Sequence, residues 1–535
     1  GTMRRLVIAV LSVALLVTGL PARAADHTAE NATVTNPGDG TKIAITIFKP
    51  AGAGPDAQVP VILHSHGWAG SRTSTISGAV KRFLDAGFGV VSIDQRGHGQ
   101  SGGQANVQDP TKETEDIKAV IDKVASLPWV AHNLDAGGNP IANDPLLGAI
   151  GGSYGGGYQT MTALDEIADE GRTRFDALAP EITWFDLPES LAPQGVARTA
   201  WVTALYAAGA RMVPQYIHEG FAWGAATGQW PDGSLLGQRN AAIPDLDSEF
   251  HKHAPAAFVE KGILIDVPVL MRQGSSDNLF NLNQGIKIFE EAVTDEARSQ
   301  SYFVAYNGGH ALPNALPPGT AAGSDACSPN GDFTELTIDF YKRIFSGTGT
   351  DGLLPDRYNL TTAAGDSCLR LDDLDARRKV DVDPLGTGST ITTAGAGAPI
   401  NIAVAEGPLT RAGIPTLEGR VTTATPDARA FFGLSVGKTP ADARVIQNNL
   451  MPLRRVLPVS GDDFRIELPG IAAQIAEGET LFLTITPVSD MSFGHGSRVA
   501  GPVVLEGLQL SLPTDKGCPN PKGKGKAHGP KDCRR

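Results

Sequence analysis

LLGAIGGSYGGGYQ, residues 146–159, runs from an apolar segment into five glycines set around Ser153 and Tyr154. The apolar segment reads as a buried strand and YQTMTALDEI as the start of a helix. Gly151-Gly152-Ser153-Tyr154-Gly155 is therefore a G-x-S-x-G at a strand-to-helix turn, the context of a nucleophile elbow. A serine there is held in a strained conformation, and the flanking glycines let strand and helix approach without side-chain clashes. A phosphate cradle would need a lysine after the glycines or a G-x-G-x-x-G in the first βαβ unit. Tyr158 and Gln159 follow instead, and the strand comes late in the chain.

A serine nucleophile needs a base that a carboxylate orients, and on a sheet of this kind both follow the serine in the chain. VPVLMRQGSSDNLF (267–280) leads from a strand into a loop bearing Asp277, and SYFVAYNGGH (301–310) ends the next strand at His310. Both residues are expected at the sheet edge that carries Ser153. Asp266 precedes its strand and belongs at the opposite end. His64, His66 and His98 precede the serine, and His218, His251 and His253 fall in an inserted region. An oxyanion needs two aimed donors. The main-chain N–H of Trp68, in VILHSHGW, and that of Tyr154 are the candidates. His64 and His66 read as loop scaffold, and Asp94 as a turn-stabilising carboxylate.

Outward from these residues, IAITIF (43–48), VPVILHSH (59–66), FGVVSID (88–94) and the three strands above alternate with helix-like stretches. That is the pattern of an α/β fold with a mainly parallel sheet covered on both faces. In 112–127, Ile117, Val120, Ile121 and Val124 recur at helical spacing. Between about 185 and 262 the alternation stops, and Trp184, Trp201, Trp223 and Trp230 gather in and beside the insertion. An aromatic insertion beside strand ends is expected to form a cap over the site. Trp68, Trp184 and Trp223 are the expected substrate-binding aromatics.

Past residue 350, runs such as PINIAVAEG, FFGLSVG and TLFLTITPV are separated by Gly, Pro and Asp turns. They predict an antiparallel β-sandwich. The expected division is a catalytic unit over 30–350 with its cap at 185–262, a sandwich over 351–513, and a basic flexible tail over 514–535. The tail holds seven Lys or Arg against two Asp. Weak contact with an anionic cell surface and a merely solvated tail are equally open to it. DDLDARRKVDVD (372–383) does not match a calcium loop and reads as an acidic link.

After Gly1 and Thr2, an expression scar, MRRLVIAVLSVALLVTGLPARA reads as a signal peptide ending near residue 24. The mature protein is expected to be secreted, extracellular or at the cell surface, and not held in a membrane. Cys327, Cys368, Cys518 and Cys533 would then favour disulfides. Loop closure costs least for Cys327 with Cys368 and Cys518 with Cys533, although three pairings stay open. The net charge of −13 argues against nucleic acid as a partner.

Together, DGTKIAITIFKP, VPVILHSHGW, FGVVSIDQRGHGQSGG, GGSYGGGY, VPVLMRQGSSDN and the terminal GGH resemble the cocaine esterase and X-Pro dipeptidyl-peptidase group of α/β-hydrolases. LEGRVTTATPDARAFFGLSV and LPGIAAQIAEGETLFLTI are similar to that group's C-terminal jelly roll. The resemblance implies triad roles for Ser153, Asp277 and His310. Its members commonly place a tyrosine hydroxyl in the oxyanion hole where this chain has Trp68, which has none.

The expectation is a serine hydrolase that cleaves small-molecule or polymeric carboxylic esters through an acyl-enzyme, with no cofactor and no metal. Release of X-Pro dipeptides is the alternative, with Glu219, Asp245, Asp247 or Glu249 as anchor for a free amine. A third reading, from another class, is a non-catalytic polymer- or wall-binding protein.

Overall fold

A computed structural model describes residues 26–232, 245–310, 323–374, 378–383, 389–393 and 398–513. The expected leader, the tail and the Cys518–Cys533 pair lie outside the described residues. Twelve strands run from the N-terminal side to residue 371. They are β1 (Thr28–Thr35), β2 (Lys42–Lys49), β3 (Val61–Ser65), β4 (Gly89–Ile93), β5 (His132–Leu134), β6 (Pro140–Pro145), β7 (Leu147–Gly152), β8 (Ala179–Glu181), β9 (Leu270–Gly274), β10 (Tyr302–Tyr306), β11 (Tyr358–Thr361) and β12 (Cys368–Leu371). β5 and β6 form a separate hairpin. The other ten make one sheet in the order β1-β2-β4-β3-β7-β8-β9-β10-β11-β12. From β4 to β11 neighbouring strands run parallel, while β1, β2 and β12 are antiparallel additions at the two ends.

Alternation along each strand feeds two cores. Val61, Leu63, Val91, Met271 and Phe303 face one cluster, which also takes Ile117, Val120, Ile121 and Val124 of a helix over Glu113–Ala125. Ile62, Val90, Leu270, Tyr302 and Val304 face the other, with Phe83 and Phe340 from two further helices. Each fully buried side chain of this size contributes about 1.5–3 kcal/mol of burial free energy, so the sheet is fixed from both faces and its strand ends are rigid platforms. This is the α/β-hydrolase arrangement.

The insertion between β8 and β9 folds as short helices, among them α1 (Leu187–Leu191), α2 (Thr199–Gly209), α3 (Gln215–Thr227) and α4 (Leu246–His251). They share a core with Tyr154, Leu279 and Phe280 from the sheet edge, so the insertion does cover the strand ends.

The boundary expected at 350/351 needs correction, because β11 and β12 complete the first sheet. A disulfide from Cys327 to Cys368 ties β12 back to the segment after His310. Beyond it the strands are antiparallel in sheets around a separate core. The expected acidic link is partly a strand, since Arg378–Asp381 pairs with Gln509–Leu512. The two units are firmly joined: Lys287 pairs with Glu467 at 2.7 Å, and Asn283 exchanges hydrogen bonds with Leu468 and Gly470. Among the described residues, no helix is long and apolar enough to cross a membrane.

Candidate active site

Ser153 sits between β7 and the helix Tyr154–Glu170, with φ 57° and ψ −119°. A non-glycine residue adopts that backbone only when its surroundings impose it. Two observations show how they do. The Ser153 amide donates to Glu181 O on β8 at 2.9 Å. A Cβ on Gly155 would stand 2.7 Å from Ser65 O, and one on Gly157 would stand 2.5 Å from the Trp184 ring. The glycines thus let the helix seat directly on β3 and on the cap, forcing the serine outward.

His310 follows β10, and its Nε2 lies 2.7 Å from Ser153 Oγ. Its Nδ1 lies 2.8 Å from Asp277 Oδ2. Asp277 is fully buried, and its Oδ1 accepts from the amides of Leu279 and Phe280 at 2.9 and 2.8 Å. A carboxylate whose second oxygen is held this way cannot rotate away from the imidazole. The rings of Trp201 and Phe280 stand edge-on to His310, at 5.6 and 5.2 Å. The structure therefore brings Ser153, His310 and Asp277 into one hydrogen-bonded line.

Trp68 lies in the loop after β3, beside the nucleophile, and its ring packs on Tyr154 at 5.2 Å. Its indole N–H donates to Leu205 O of the cap at 2.9 Å, which leaves the main-chain N–H as the donor this residue can turn to an oxyanion. Tyr154 opens its helix, where amides have no partner within the helix. Among the described residues neither amide donates to another protein group.

Two histidines brace this loop. The amide of Gln95 donates to His66 Nε2 at 3.0 Å, and the amide of Ala69 donates to His98 Nε2 at 3.1 Å. An amide can only donate, so each ring carries its proton on Nδ1, which donates to Gly67 O and Arg96 O respectively. Burial pulls both rings below the ordinary histidine range, His98 to about 4, and His64 behind them also to about 4. They are neutral struts. Asp94 pairs with Arg72 and accepts from the amides of Arg72 and Gln100, so it stabilises the turn.

A cavity of about 190 Å³ opens from Ser153 under the cap. Trp68, Trp184, Tyr206, Phe221, Trp230 and Phe280 are among its walls. Trp223 is not, which corrects one expectation. On α3 the cavity takes Ile217, Gly220, Phe221 and Gly224, spaced i, i+3, i+4 and i+7, and Trp223 falls off that face. No charged side chain lines the cavity among the described residues. Of the four carboxylates considered as amine anchors, none does: Glu219 is exposed, Asp245 caps α4, Asp247 accepts from the Trp230 indole, and Glu249 bonds to His253. His495, from the sandwich, does line it, with its ring pushed down to about 4 by burial and neighbouring arginines.

Several residues escaped the sequence reading. Gln108 donates to Tyr154 O, Arg198 to the carbonyls after Asp277, and Asn449 of the sandwich to Asp277 O at 2.8 Å. None belongs to a motif. Each is set by chain segments far apart in sequence.

The family model of the X-Pro dipeptidyl-peptidase (S15 family) matches residues 39–311, just over half of the chain. An Escherichia coli protein, an uncharacterised 31.7 kDa protein of the traX-finO intergenic region, is 31% identical over 124 residues. That match covers 23% of this chain and 38% of the relative's length. Among solved structures, an aminopeptidase from a marine sediment Thaumarchaeota archaeon superposes with a TM-score of 0.64 at 15% identity, covering 93% of this chain and 98% of its own. A CocE/NonD family hydrolase from Staphylococcus aureus gives 0.61 at 14% identity, covering 92% and 97%. At these identities the structural likeness speaks to the fold.

Proposed function

The chain belongs to the X-Pro dipeptidyl-peptidase (S15) family of serine hydrolases, and from that premise we propose that it is a secreted esterase that cleaves carboxylic esters with an apolar acyl or alcohol part. The observation that carries this reading is the uncharged aromatic cavity leading from Ser153. An X-Pro dipeptide would bring a protonated amine, whose burial without a carboxylate partner is costly. An ester with a hydrocarbon chain loses nothing there and gains burial.

In this reading His310 Nε2 takes the Ser153 proton as Oγ attacks the acyl carbon, and Asp277 stabilises the imidazolium. The amides of Trp68 and Tyr154 receive the developing oxyanion. The alcohol leaves with the proton from His310, and water activated by the same ring then releases the acid. The Cys327–Cys368 disulfide, a bond that persists in oxidising compartments, supports secretion.

The test assays 4-nitrophenyl esters of increasing acyl length beside an Ala-Pro amide, with wild type and Ser153→Ala. Ester turnover should dominate and improve with chain length, and Ser153→Ala should lower kcat by about 10⁶-fold. Preference for the Ala-Pro amide would replace the ester reading with the dipeptidyl-peptidase one. Retained activity in Ser153→Ala would remove both.

A further inference from the structure

Arg198 is the N-cap residue of α2 in the cap, yet it is 3% exposed. Its Nη1 donates to the carbonyls of Asn278 and Leu279, the latter at 3.1 Å, and its Nη2 meets Met451 Sδ of the sandwich at 3.2 Å. No carboxylate is among these partners. Burying a guanidinium without a counter-ion is expensive, and an apolar side chain would pack against Met451 at less cost. What the cation gains is a place where three parts of the molecule converge on one turn.

That turn is 277–280. Its amides, from Leu279 and Phe280, point to the Asp277 carboxylate. Its carbonyls are held from outside: Asp277 O by Asn449 of the sandwich, and Asn278 O and Leu279 O by Arg198. The Asn278 side chain accepts the Trp201 indole N–H at 2.7 Å, three residues along the cap from Arg198. Arg198, Asn278, Asn449 and Ser492 also line a second cavity of about 210 Å³, with polar and apolar walls, distinct from the one at Ser153. Burial draws the guanidinium down to about 10, with Asp277 the foremost of the charges that oppose the shift, so it stays cationic at neutral pH.

We infer that Arg198 is a positioning residue for the hydrolytic reaction: from the cap it locks the turn that carries Asp277 and sets a buried positive charge at that turn. Acting through Asp277, it keeps the carboxylate turned to His310. The inference rests on the triad reading given above. Arg198 is not part of the apolar cavity wall, although Leu279 and Phe280 of the turn it holds are, so its contribution belongs chiefly to turnover.

The other titratable or charged groups reaching this corner are Glu189 on α1, Lys287 paired with both Glu189 and Glu467, Tyr306 on β10 and Asp490 in the lining of the second cavity. Of these, Glu189 also feels Arg198, which holds its carboxyl down against burial, and Arg198→Lys keeps that influence.

The experiment measures kcat, KM and the pH dependence of kcat/KM for a monomeric 4-nitrophenyl ester in wild type, Arg198→Met, Arg198→Lys and Ser153→Ala. Arg198→Met should lose about 10- to 100-fold in kcat, with a smaller change in KM. Its acidic limb should move to higher pH by about half a unit or more, because removing a neighbouring cation makes His310 easier to protonate. Arg198→Lys keeps the charge but not the planar guanidinium that reaches both carbonyls through Nη1 and Met451 through Nη2, so the limb should return to the wild-type position while kcat recovers only in part. A wild-type kcat and limb in Arg198→Met, a loss confined to KM, or a limb in Arg198→Lys displaced as far as in Arg198→Met would each overturn the inference. If Arg198→Met does not fold, Arg198→Lys decides, and a wild-type kcat in that variant overturns it. An inactive Ser153→Ala beside a wild-type-like Arg198→Met sinks this inference alone, whereas an active Ser153→Ala sinks the triad reading beneath it.

Discussion

The two sides of the proposed triad are held by opposite means. On the nucleophile side everything is local: the glycines around Ser153 let β3, β7, β8 and the following helix touch, and neutral His66 and His98 brace the adjoining loop from within the same sheet edge. On the acid side almost nothing is local beyond the turn's own amides. Arg198 and Trp201 reach Asn278 and Leu279 from about 80 residues earlier, and Asn449 reaches Asp277 from 172 residues later. Close packing of backbone fixes the serine, and long-range polar contacts fix the aspartate. The first is stiff and intolerant of added atoms, while the second depends on the cap and the sandwich staying docked.

Breaking the acid side at its centre should give the largest effect. Asp277→Asn can still accept from the amides of Leu279 and Phe280, so the turn should survive. It can no longer stabilise an imidazolium, and kcat should fall by about 10⁴-fold with little change in unfolding midpoint. A loss below tenfold would mean that another carboxylate orients His310.

The nucleophile side should respond differently, losing stability along with rate. Gly155→Ala would place a methyl 2.7 Å from Ser65 O and 3.0 Å from His66 O, both backbone atoms that cannot step aside. A destabilisation of about 1–3 kcal/mol in urea is expected, with loss of kcat as the elbow shifts. Wild-type stability in that variant would show that the close approach does not fix Ser153.

The smallest effect concerns the neutral struts. Burial holds His98 at about 4, whereas an unfolded histidine titrates near 6.5. Its contribution is therefore complete above about 6.5 and is lost as pH falls through about 4. Urea midpoints measured across that window should drop less steeply in His98→Gln than in wild type. Parallel profiles would mean that His98 titrates alike in the folded and unfolded chain, so that burial does not hold it neutral.

This contrast also explains what could be read from the chain. Ser153 was legible because its whole environment, strand, glycines and helix, lies in one continuous stretch. Asp277 and His310 were legible as strand ends, and the sheet order brings them beside the serine. Trp223 misled because a tryptophan in the cap says nothing about which face of its helix it occupies, and Trp230, Tyr206 and Phe221 form the wall. The sheet's last strands hid past residue 350 because even the expected Cys327–Cys368 link, which the structure contains, does not say that β11 pairs with β10 and β12 with β11. Arg198 and Asn449 carry no local signal at all. Their role exists only once cap, turn and sandwich meet.

Trp68 ties these halves to each other. Its indole is pinned to Leu205 O, and a methyl on Gly209 would stand 2.4 Å from its ring, so α2 rests directly on the residue whose amide is the proposed oxyanion donor. Any motion that lifts α2 must also disturb that residue. On the proposed reading the cap is therefore a latch as much as a lid, holding the donor in register while it is shut.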